Sequence, residues 1–134
     1  MDDRGRVYLA WYTETADGEP RMMFAASNDR LKFAPPVRLN TAAGYIPDQV
    51  RLAADQTGRV VIVWEEATAV RRRVLLRYST DGGRTLSAPQ TLSQAIKAYA
   101  PDVATAPSGD FVVAWYEEQF PALKTVTQTI KLSK

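Results

Sequence analysis

Carboxylates, tyrosines and arginines are the residues that could carry chemistry in this chain, because the sequence contains no histidine and no cysteine. This composition excludes a Ser-His-Asp triad, a cysteine nucleophile, a thiolate metal site and a disulfide framework. Two carboxylates at a suitable separation would be sufficient for glycoside hydrolysis. Such residues recur in two segments with the pattern Tyr-x-Pro-Asp, residues 45–48 and 99–102.

The two Tyr-x-Pro-Asp segments each lie at the entry to a predicted strand. Their recurrence predicts that Asp48 and Asp102 occupy the same place in successive units, where both carboxylates could point toward a shared channel. Tyr45, Arg51 and Tyr99 are further candidate ligand contacts, and Arg51 could meet an anionic ligand. The alternative is a purely structural role, in which the proline fixes φ and the aspartate accepts hydrogen bonds from nearby amides, so that the motif only shapes the entry to the strand.

A second group of acidic and tyrosine residues follows the most apolar segments. With the two aspartates, the candidate catalytic residues are Asp48, Asp102, Glu65, Tyr116 and Glu117. Consecutive glutamates at a strand end point to opposite faces. We therefore expect one glutamate of each pair, 65–66 and 117–118, to be solvated. The only basic run, Arg71-Arg72-Arg73, is expected to be a solvated turn.

An internal repeat of about 50 residues supplies the elements that must position these side chains. Glycine precedes a run of β-forming residues that ends in tryptophan at three places, 5–11, 58–64 and 109–115. The apolar run 60–64 predicts a strand buried on both faces. We expect the three tryptophans to pack between sheets. A helical repeat would require apolar residues at i, i+3, i+4 and i+7, a pattern that the chain lacks.

Each repeat therefore predicts four short antiparallel strands, and one four-stranded sheet per repeat of this length is typical of a β-propeller blade. The predicted fold class is all-β, with about two and a half blades: a partial blade over 1–40, a full blade over 41–93 and a partial blade over 94–134. The ten predicted strands cover 6–13, 20–26, 36–39, 48–54, 59–66, 72–79, 89–93, 102–106, 110–117 and 125–132.

The incomplete blade count carries a prediction about partners. Propellers typically hold 4 to 8 blades, and an open arc would leave apolar sheet faces and strand edges uncovered. We expect the ring to be completed either by sequence beyond these residues or by a second copy. Two copies would form a dimeric ring of six sheets.

The segment Ser79-Thr-Asp-Gly-Gly-Arg-Thr-Leu86 predicts a turn with internal side-chain bonds. Aspartate can accept bonds from following amides, the glycines permit positive φ, and the hydroxyls can tie the two arms together. The octet resembles the Asp box of bacterial neuraminidase repeats, Ser-x-Asp-x-Gly-x-Thr-Trp, with leucine in place of the aromatic residue. A shorter copy, 27–33, keeps Ser27 and Asp29. The predicted structural turn residues are Ser27, Asp29, Ser79, Asp81, Gly83 and Thr85.

The resemblance to Asp-box propellers of the sialidase type implies a secreted or periplasmic protein with carboxylate, tyrosine and arginine chemistry. The Arg-Ile-Pro motif of sialidases is absent, because Tyr45 precedes Ile46-Pro47. The favoured prediction is a glycan-binding or scaffold module. One alternative is part of a sialidase-like glycoside hydrolase, and another is an inactive propeller fragment or engineered assembly.

Charge and hydropathy limit the remaining classes of partner. The net charge is +2, from 17 basic and 15 acidic residues, and no broad basic face with interleaved aromatics indicates nucleic-acid binding. No apolar run approaches the ~20 residues of a membrane span. Met1-Asp2-Asp3-Arg4 lacks the apolar core of a signal peptide. No metal site and no cofactor are predicted.

Overall fold

The computed structural model describes residues 2–132, and these form ten β-strands with no helix. The strands are β1 (Tyr8–Glu14), β2 (Pro20–Ala26), β3 (Val37–Arg38), β4 (Ile46–Ala54), β5 (Val60–Ala67), β6 (Arg72–Ser79), β7 (Gln90–Thr91), β8 (Ala98–Thr105), β9 (Phe111–Gln119) and β10 (Ala122–Ile130). The all-β prediction is confirmed. Among the described residues no helix exists that could cross a membrane.

The strands form three antiparallel sheets that follow one another along the chain. Sheet 1 has the order β1-β2-β3, sheet 2 the order β4-β5-β6-β7, and sheet 3 the order β10-β9-β8. Within each sheet, paired strands are consecutive in the sequence and antiparallel. The predicted strand positions hold throughout, with differences at a few boundaries.

Two strands begin earlier than predicted, and both contain a proline. β4 includes Pro47 and β8 includes Pro101. Proline lacks an amide donor and is tolerated in edge strands and at bulges. Both strands lie at the edge of a sheet: Pro47 pairs with Glu66, and Pro101 falls within a bulge of β8. The last strand is also shifted: β10 begins at Ala122 rather than at residue 125, because only residues 120 and 121 connect it to β9.

β5 lies at the centre of the molecule and explains the continuous apolar run. Val60 through Trp64 are fully buried, as the prediction of a strand buried on both faces requires. Val61 and Val63 pack with sheet 3, and Ile62 and Trp64 pack with sheet 1. Fully burying each such side chain contributes about 1.5–3 kcal/mol to stability. Sheet 2 is therefore the middle layer of a three-layer stack.

The three tryptophans differ in burial. Trp64 and Trp115 are buried between sheets, as predicted. Trp11 holds the same position in sheet 1 but is only half-buried. Tyr8 and Ala10 of the same strand face the core between sheets 1 and 2, so strand alternation turns Trp11 to the outer face of sheet 1.

Candidate functional site

The predicted site residues meet at one end of the three sheets. β5 and β9 finish at this end, and β4 and β8 begin there. We call it the glutamate end, after Glu65, Glu66 and Glu117. The turn between β6 and β7, which contains Asp81, lies at the opposite end. The glutamate end therefore holds the side chains from which a site can be built.

Two of these glutamates are fixed by tryptophans. The indole Nε1 of Trp64 donates to Glu66 Oε1 at 3.0 Å, and that of Trp115 donates to Glu117 Oε1 at 3.1 Å. Residues i and i+2 of a strand share a face, so the pattern Trp-x-Glu sets each carboxylate beside an indole. Arg73 Nη2 also donates to Glu66 Oε2 at 2.9 Å. Both carboxylates are buried.

Glu117 is held in its charged form by its donors. The backbone amide of Gln94 donates to its Oε1 at 2.9 Å, beside the indole of Trp115. Burial alone would raise the pKa of Glu117, but these hydrogen bonds outweigh burial and hold the pKa below its usual range. Glu117 Oε1 thus joins the segment before β8 to β9.

Glu65 is also buried, on the opposite face of β5, and this corrects the expectation that one glutamate of its pair is solvated. Arg72 Nη1 donates to Glu65 Oε2 at 3.1 Å, and the same guanidinium lies 5.3 Å from the centre of the Tyr99 ring. The prediction of a solvated arginine turn is wrong for Arg72 and Arg73, which belong to β6 and are ion-paired. In the second glutamate pair the expectation is confirmed, because Glu118 is exposed.

Tyr45 and Tyr99 each lie over an arginine of β6. The Tyr45 ring centre lies 3.8 Å from the Arg73 guanidinium carbon, within the range of a cation–π contact. Tyr99 contacts Arg72 in the same way, and its hydroxyl donates to Glu118 Oε2 at 3.0 Å. Burial and the bond to Glu118 raise the pKa of Tyr99.

Asp48 and Asp102 do not occupy equivalent positions, contrary to the sequence prediction. Arg51 pairs across β4 and β5 with the residue before Trp64, and Asp102 pairs across β8 and β9 with the residue before Trp115. Asp102 therefore stands at the position of Arg51. Both aspartates are exposed, and each accepts a bond at 2.8 Å from the amide that follows it.

A β-bulge explains this mismatch. The pairing register shifts between Asp48 and Arg51 in β4 and between Tyr99 and Asp102 in β8. Asp48 precedes the bulge of β4, whereas Asp102 follows the bulge of β8. The two Tyr-x-Pro-Asp motifs therefore occupy different pairing positions in their sheets. Arg51 is exposed, and its Nη1 donates to the carbonyl of the preceding residue at 2.9 Å.

A cleft of about 350 Å³ opens at the glutamate end of sheet 3. Its lining residues are Tyr99, Glu118, Phe120, Pro121, Ala122 and Leu123. Phe120 is 91% exposed. Tyr99 is the one lining residue that the sequence had indicated as a ligand contact. The missed signal was an aromatic residue followed by proline at the β9–β10 turn, one residue beyond the glutamate pair. Tyr116, a candidate catalytic residue, pairs with Tyr99 and is exposed.

The Asp81 turn has a closed set of internal bonds. Ser79 Oγ donates to Asp81 Oδ1 at 2.7 Å and accepts from the amide of Gly83 at 2.9 Å. Asp81 accepts from the amide and the hydroxyl of Thr85 at 3.0 and 2.6 Å. Burial alone would raise the pKa of Asp81, but these bonds lower it. Leu86 packs against the core between sheets 1 and 2.

The shorter copy of this turn uses a different residue. Ser27 Oγ accepts from the amide of Val7 at 2.8 Å. Asn28 Oδ1, rather than Asp29, accepts from the amides of Arg30 and Lys32 at 2.9 and 3.0 Å. With one residue fewer in the loop, the turn-closing acceptor moves one position toward the N-terminus.

A second recurrent turn was not predicted from the sequence. It has the pattern Asp-x-x-Gly-Arg and begins at Asp2 and at Asp55. Asp2 accepts from the amide of Arg6 at 3.0 Å and from its Nε at 2.6 Å, and Tyr8 donates to it at 2.7 Å. Asp55 accepts from the amide of Arg59 at 3.0 Å. The signal was present in both copies, four residues from aspartate to arginine around a glycine.

The arginine of each such turn reaches the next sheet. The Arg6 guanidinium lies so close to Gly58 and Gly82 that a Cβ at either glycine would stand 2.2 or 2.1 Å from it. Arg59 donates to the carbonyls of Gly109 at 3.2 Å and Leu132 at 2.8 Å. These arginines join successive sheets at the end opposite the glutamates.

Two of the five candidate catalytic residues are held by bonds within the fold. Glu65 and Glu117, predicted as candidate catalytic residues, are buried and bonded within the fold. They cannot reach a substrate as the pair that glycoside hydrolysis requires without breaking those bonds. Within residues 2–132 no group of three acidic side chains is arranged to hold a metal ion. Exposed tyrosine, phenylalanine and carboxylate groups remain available to a ligand.

Comparisons with known proteins bear on the fold alone. No family model and no curated protein matches the chain. The chain is similar in structure to a protein of unknown function from Dyadobacter fermentans, with a TM-score of 0.69 and 14% identity over 94% of this chain and 34% of that one. It also matches an endo-arabinase from Bacteroides thetaiotaomicron, with a TM-score of 0.49 and 14% identity over 96% of this chain and 58% of that enzyme. The chain thus spans about a third of the first protein and less than two thirds of the second.

Proposed function

We propose that the chain is a segment of an Asp-box type β-propeller that binds a neutral carbohydrate in the cleft at the glutamate end of sheet 3. The observation that carries the proposal is the 91% exposure of Phe120 beside Tyr99 and Glu118. An aromatic ring left in water offers an apolar face, and the C–H groups of a sugar ring match such a face. The carboxylate and the phenol beside it supply bonds for sugar hydroxyls.

The propeller part of the proposal is supported by how the sheets are stacked. Sheets 1, 2 and 3 pack face to face in chain order, and the Asp-x-x-Gly-Arg turns repeat the same link between neighbours. The closed bonds of the Asp81 turn suit the Asp-box resemblance. A four-stranded sheet between two three-stranded sheets is consistent with consecutive propeller blades.

The charge of the cleft favours a neutral sugar over a sialic acid. Among its lining residues the one charged side chain is Glu118, which would repel a substrate carboxylate. Arg72, which contacts Tyr99, is already paired with Glu65. An anionic sugar would therefore find no unpaired cation among these residues, whereas a neutral sugar would meet only hydrogen-bonding and apolar groups.

Part of a glycoside hydrolase is the alternative function. It requires a second carboxylate about 5–5.5 or 6.5–9.5 Å from the first, across the scissile bond. The cleft lining contains Glu118 as its one carboxylate, so any partner carboxylate would come from outside that lining. Binding without turnover is the outcome that we expect from this chain.

Oligosaccharide titration followed by isothermal calorimetry tests the proposal, with neutral and sialylated glycans and a panel of aryl glycosides. We expect binding of a neutral glycan in the millimolar range or tighter, weakened at least about tenfold by Phe120→Ala. Tyr12→Ala is the matched control, because Tyr12 is an exposed aromatic at the same end of sheet 1, bonded to Glu14 and outside the cleft.

Three results would contradict the proposal. One is the absence of binding to every neutral glycan, and another is binding that Phe120→Ala leaves unchanged. A preference for sialylated glycans would argue against the neutral ligand. Hydrolysis of an aryl glycoside that is lost in Glu118→Gln would favour the hydrolase instead.

A further inference from the structure

The outer face of sheet 1 is apolar and uncovered. On this face Leu9 is 46% exposed, and Trp11 and its strand partner Met23 are only partly buried. The other face of the same sheet is fully packed, with Met22 and Phe24 buried against sheet 2. An apolar patch of this kind on an otherwise well-packed sheet marks an interaction surface.

The repeat within the chain indicates what kind of surface covers such a face. Trp11 pairs with Met23 just as Trp64 pairs with Leu75, and Trp64 is completely buried against the preceding sheet. Trp115 is buried against sheet 2 in the same way. In sheets 2 and 3, therefore, the tryptophan face always packs on the face of the sheet before it. Sheet 1 presents this face with no sheet before it among the described residues.

Sheet 3 presents the complementary face. Val61 and Val63 of sheet 2 pack against sheet 3, and the residues at the same positions in sheet 3 are Val112 and Ala114. Both are half-buried, because no sheet follows sheet 3 in the described chain. This surface continues into β10 through threonines such as Thr127, which pairs with Ala114. Valine, alanine and threonine side chains therefore line this surface.

The charges at the opposite end also match between these two faces. In the first two Asp-x-x-Gly-Arg turns the arginine reaches toward glycines of the next sheet. The corresponding turn of sheet 3 has Asp110 at the place of the arginine. The β2–β3 turn of sheet 1 carries Arg30 and Lys32 in the loop where sheet 2 has its glycine pair. An acidic group would thus meet two basic groups if sheet 1 followed sheet 3.

We infer that the outer face of sheet 1 binds the outer face of sheet 3 of a second copy of this chain, with Asp110 of one copy against Arg30 and Lys32 of the other. A head-to-tail contact of this kind can close into a ring, and two copies would then bury both faces of each chain. The contact requires no bound carbohydrate, but it adjoins the proposed cleft, because Glu118 lies on the same face of β9 as Ala114. The contact would bury Tyr116, because Glu65, which holds the same position in sheet 2, is buried between sheets 2 and 3. It would leave Tyr99 accessible, because Asp48, which holds the same position in sheet 2, is exposed.

Sedimentation velocity from 1 to 100 μM, without glycan, tests this contact. We expect concentration-dependent association that Leu9→Lys weakens at least a hundredfold. Val70→Lys is the matched control, because Val70 is 72% exposed and lies in the β5–β6 connection, away from both faces. Circular dichroism and urea unfolding establish that both variants stay folded, as the exposure of each residue in the single chain predicts.

A charge exchange tests the register of the contact. Asp110→Lys should weaken association about tenfold, and mixing it with the Arg30→Glu, Lys32→Glu variant should restore it. A chain that stays monomeric at 100 μM would overturn the inference. So would association that Leu9→Lys leaves unchanged, or a mixture of the charge variants that associates no better than either alone.

Discussion

Replacing Glu66 by glutamine isolates the charge of the buried ion pair that Glu66 forms with Arg73 at the glutamate end. Glu66 is 1% exposed, and Arg73, its partner at 2.9 Å, retains 20% of its side-chain exposure. Glutamine keeps an acceptor for the Trp64 indole, so the volume and the Trp64 bond are preserved and the negative charge is lost. The Arg73 guanidinium is then left without its counter-ion in a place that water reaches only in part.

The size of the effect follows from this partial burial. Breaking a fully buried pair by removing one partner costs about 3–5 kcal/mol, whereas an exposed pair is worth about 0–1 kcal/mol. Arg73 is closer to the buried case, but the Tyr45 ring at 3.8 Å continues to stabilise its charge. We therefore expect Glu66→Gln to lower the free energy of unfolding by about 2 to 3 kcal/mol.

Urea unfolding at pH 7, followed by tryptophan fluorescence and circular dichroism, measures this loss. Glu118→Gln is the control, since Glu118 is exposed at the end of the equivalent strand, and it should change stability by no more than about 0.5 kcal/mol. Adding Arg73→Met to Glu66→Gln removes the stranded charge and should recover at least half of the loss. A cost below about 1 kcal/mol for Glu66→Gln, or no recovery in the double variant, would refute the reasoning.

Three further predictions concern the turns at the opposite end. Burial would raise the pKa of Asp2, but its hydrogen bonds lower that pKa from 3.8 to about 2. The ionised carboxylate therefore adds about 2 kcal/mol to the free energy of unfolding above pH 4, and this contribution is lost as the pH falls toward 2. Urea unfolding midpoints measured over a pH series should show this loss in the parent chain and a flatter pH dependence in Asp2→Asn. Gly83→Ala should cost more than Gly18→Ala in thermal melts, because both have positive φ but a Cβ at Gly83 would stand 2.7 Å from the Cβ of Ala26, whereas Gly18 has open space; equal melting temperatures would contradict this. Arg59→Met should lower stability by about 1–3 kcal/mol in urea unfolding, because two carbonyls of sheet 3 lose their donor, and an unchanged midpoint would show that the link is not needed.

Local patterns were sufficient to predict most of the fold. The apolar run that ends at Trp64 identified the central strand, and the recurrent Gly-to-Trp segments placed the others. The hydrogen-bonding groups of the Asp81 turn could be assigned from residue types alone. These features depend on strand alternation and on bonds between residues a few positions apart, which the linear order of residues largely specifies.

The candidate site depended on pairing between distant residues. Asp48 and Asp102 share a sequence motif, yet a bulge in each strand sets them at different pairing positions, and a register shift leaves no mark on the motif itself. The solvated role expected for Arg72 and Arg73 failed for a similar reason, because the glutamates that bind them lie on the neighbouring strand.

Sequence by itself determined that this chain is all-β, repeats about every 50 residues, and must work with carboxylates, tyrosines and arginines. Only the tertiary structure decided which of those groups are free. It buried Glu65, Glu66 and Glu117 against arginine and indole donors, and it left Phe120 exposed beside Tyr99 and Glu118. The physical reason is that desolvation and charge pairing are set by neighbours brought together in space. Identical residue types at neighbouring positions therefore become structural anchors or accessible ligand contacts according to the face on which each lies.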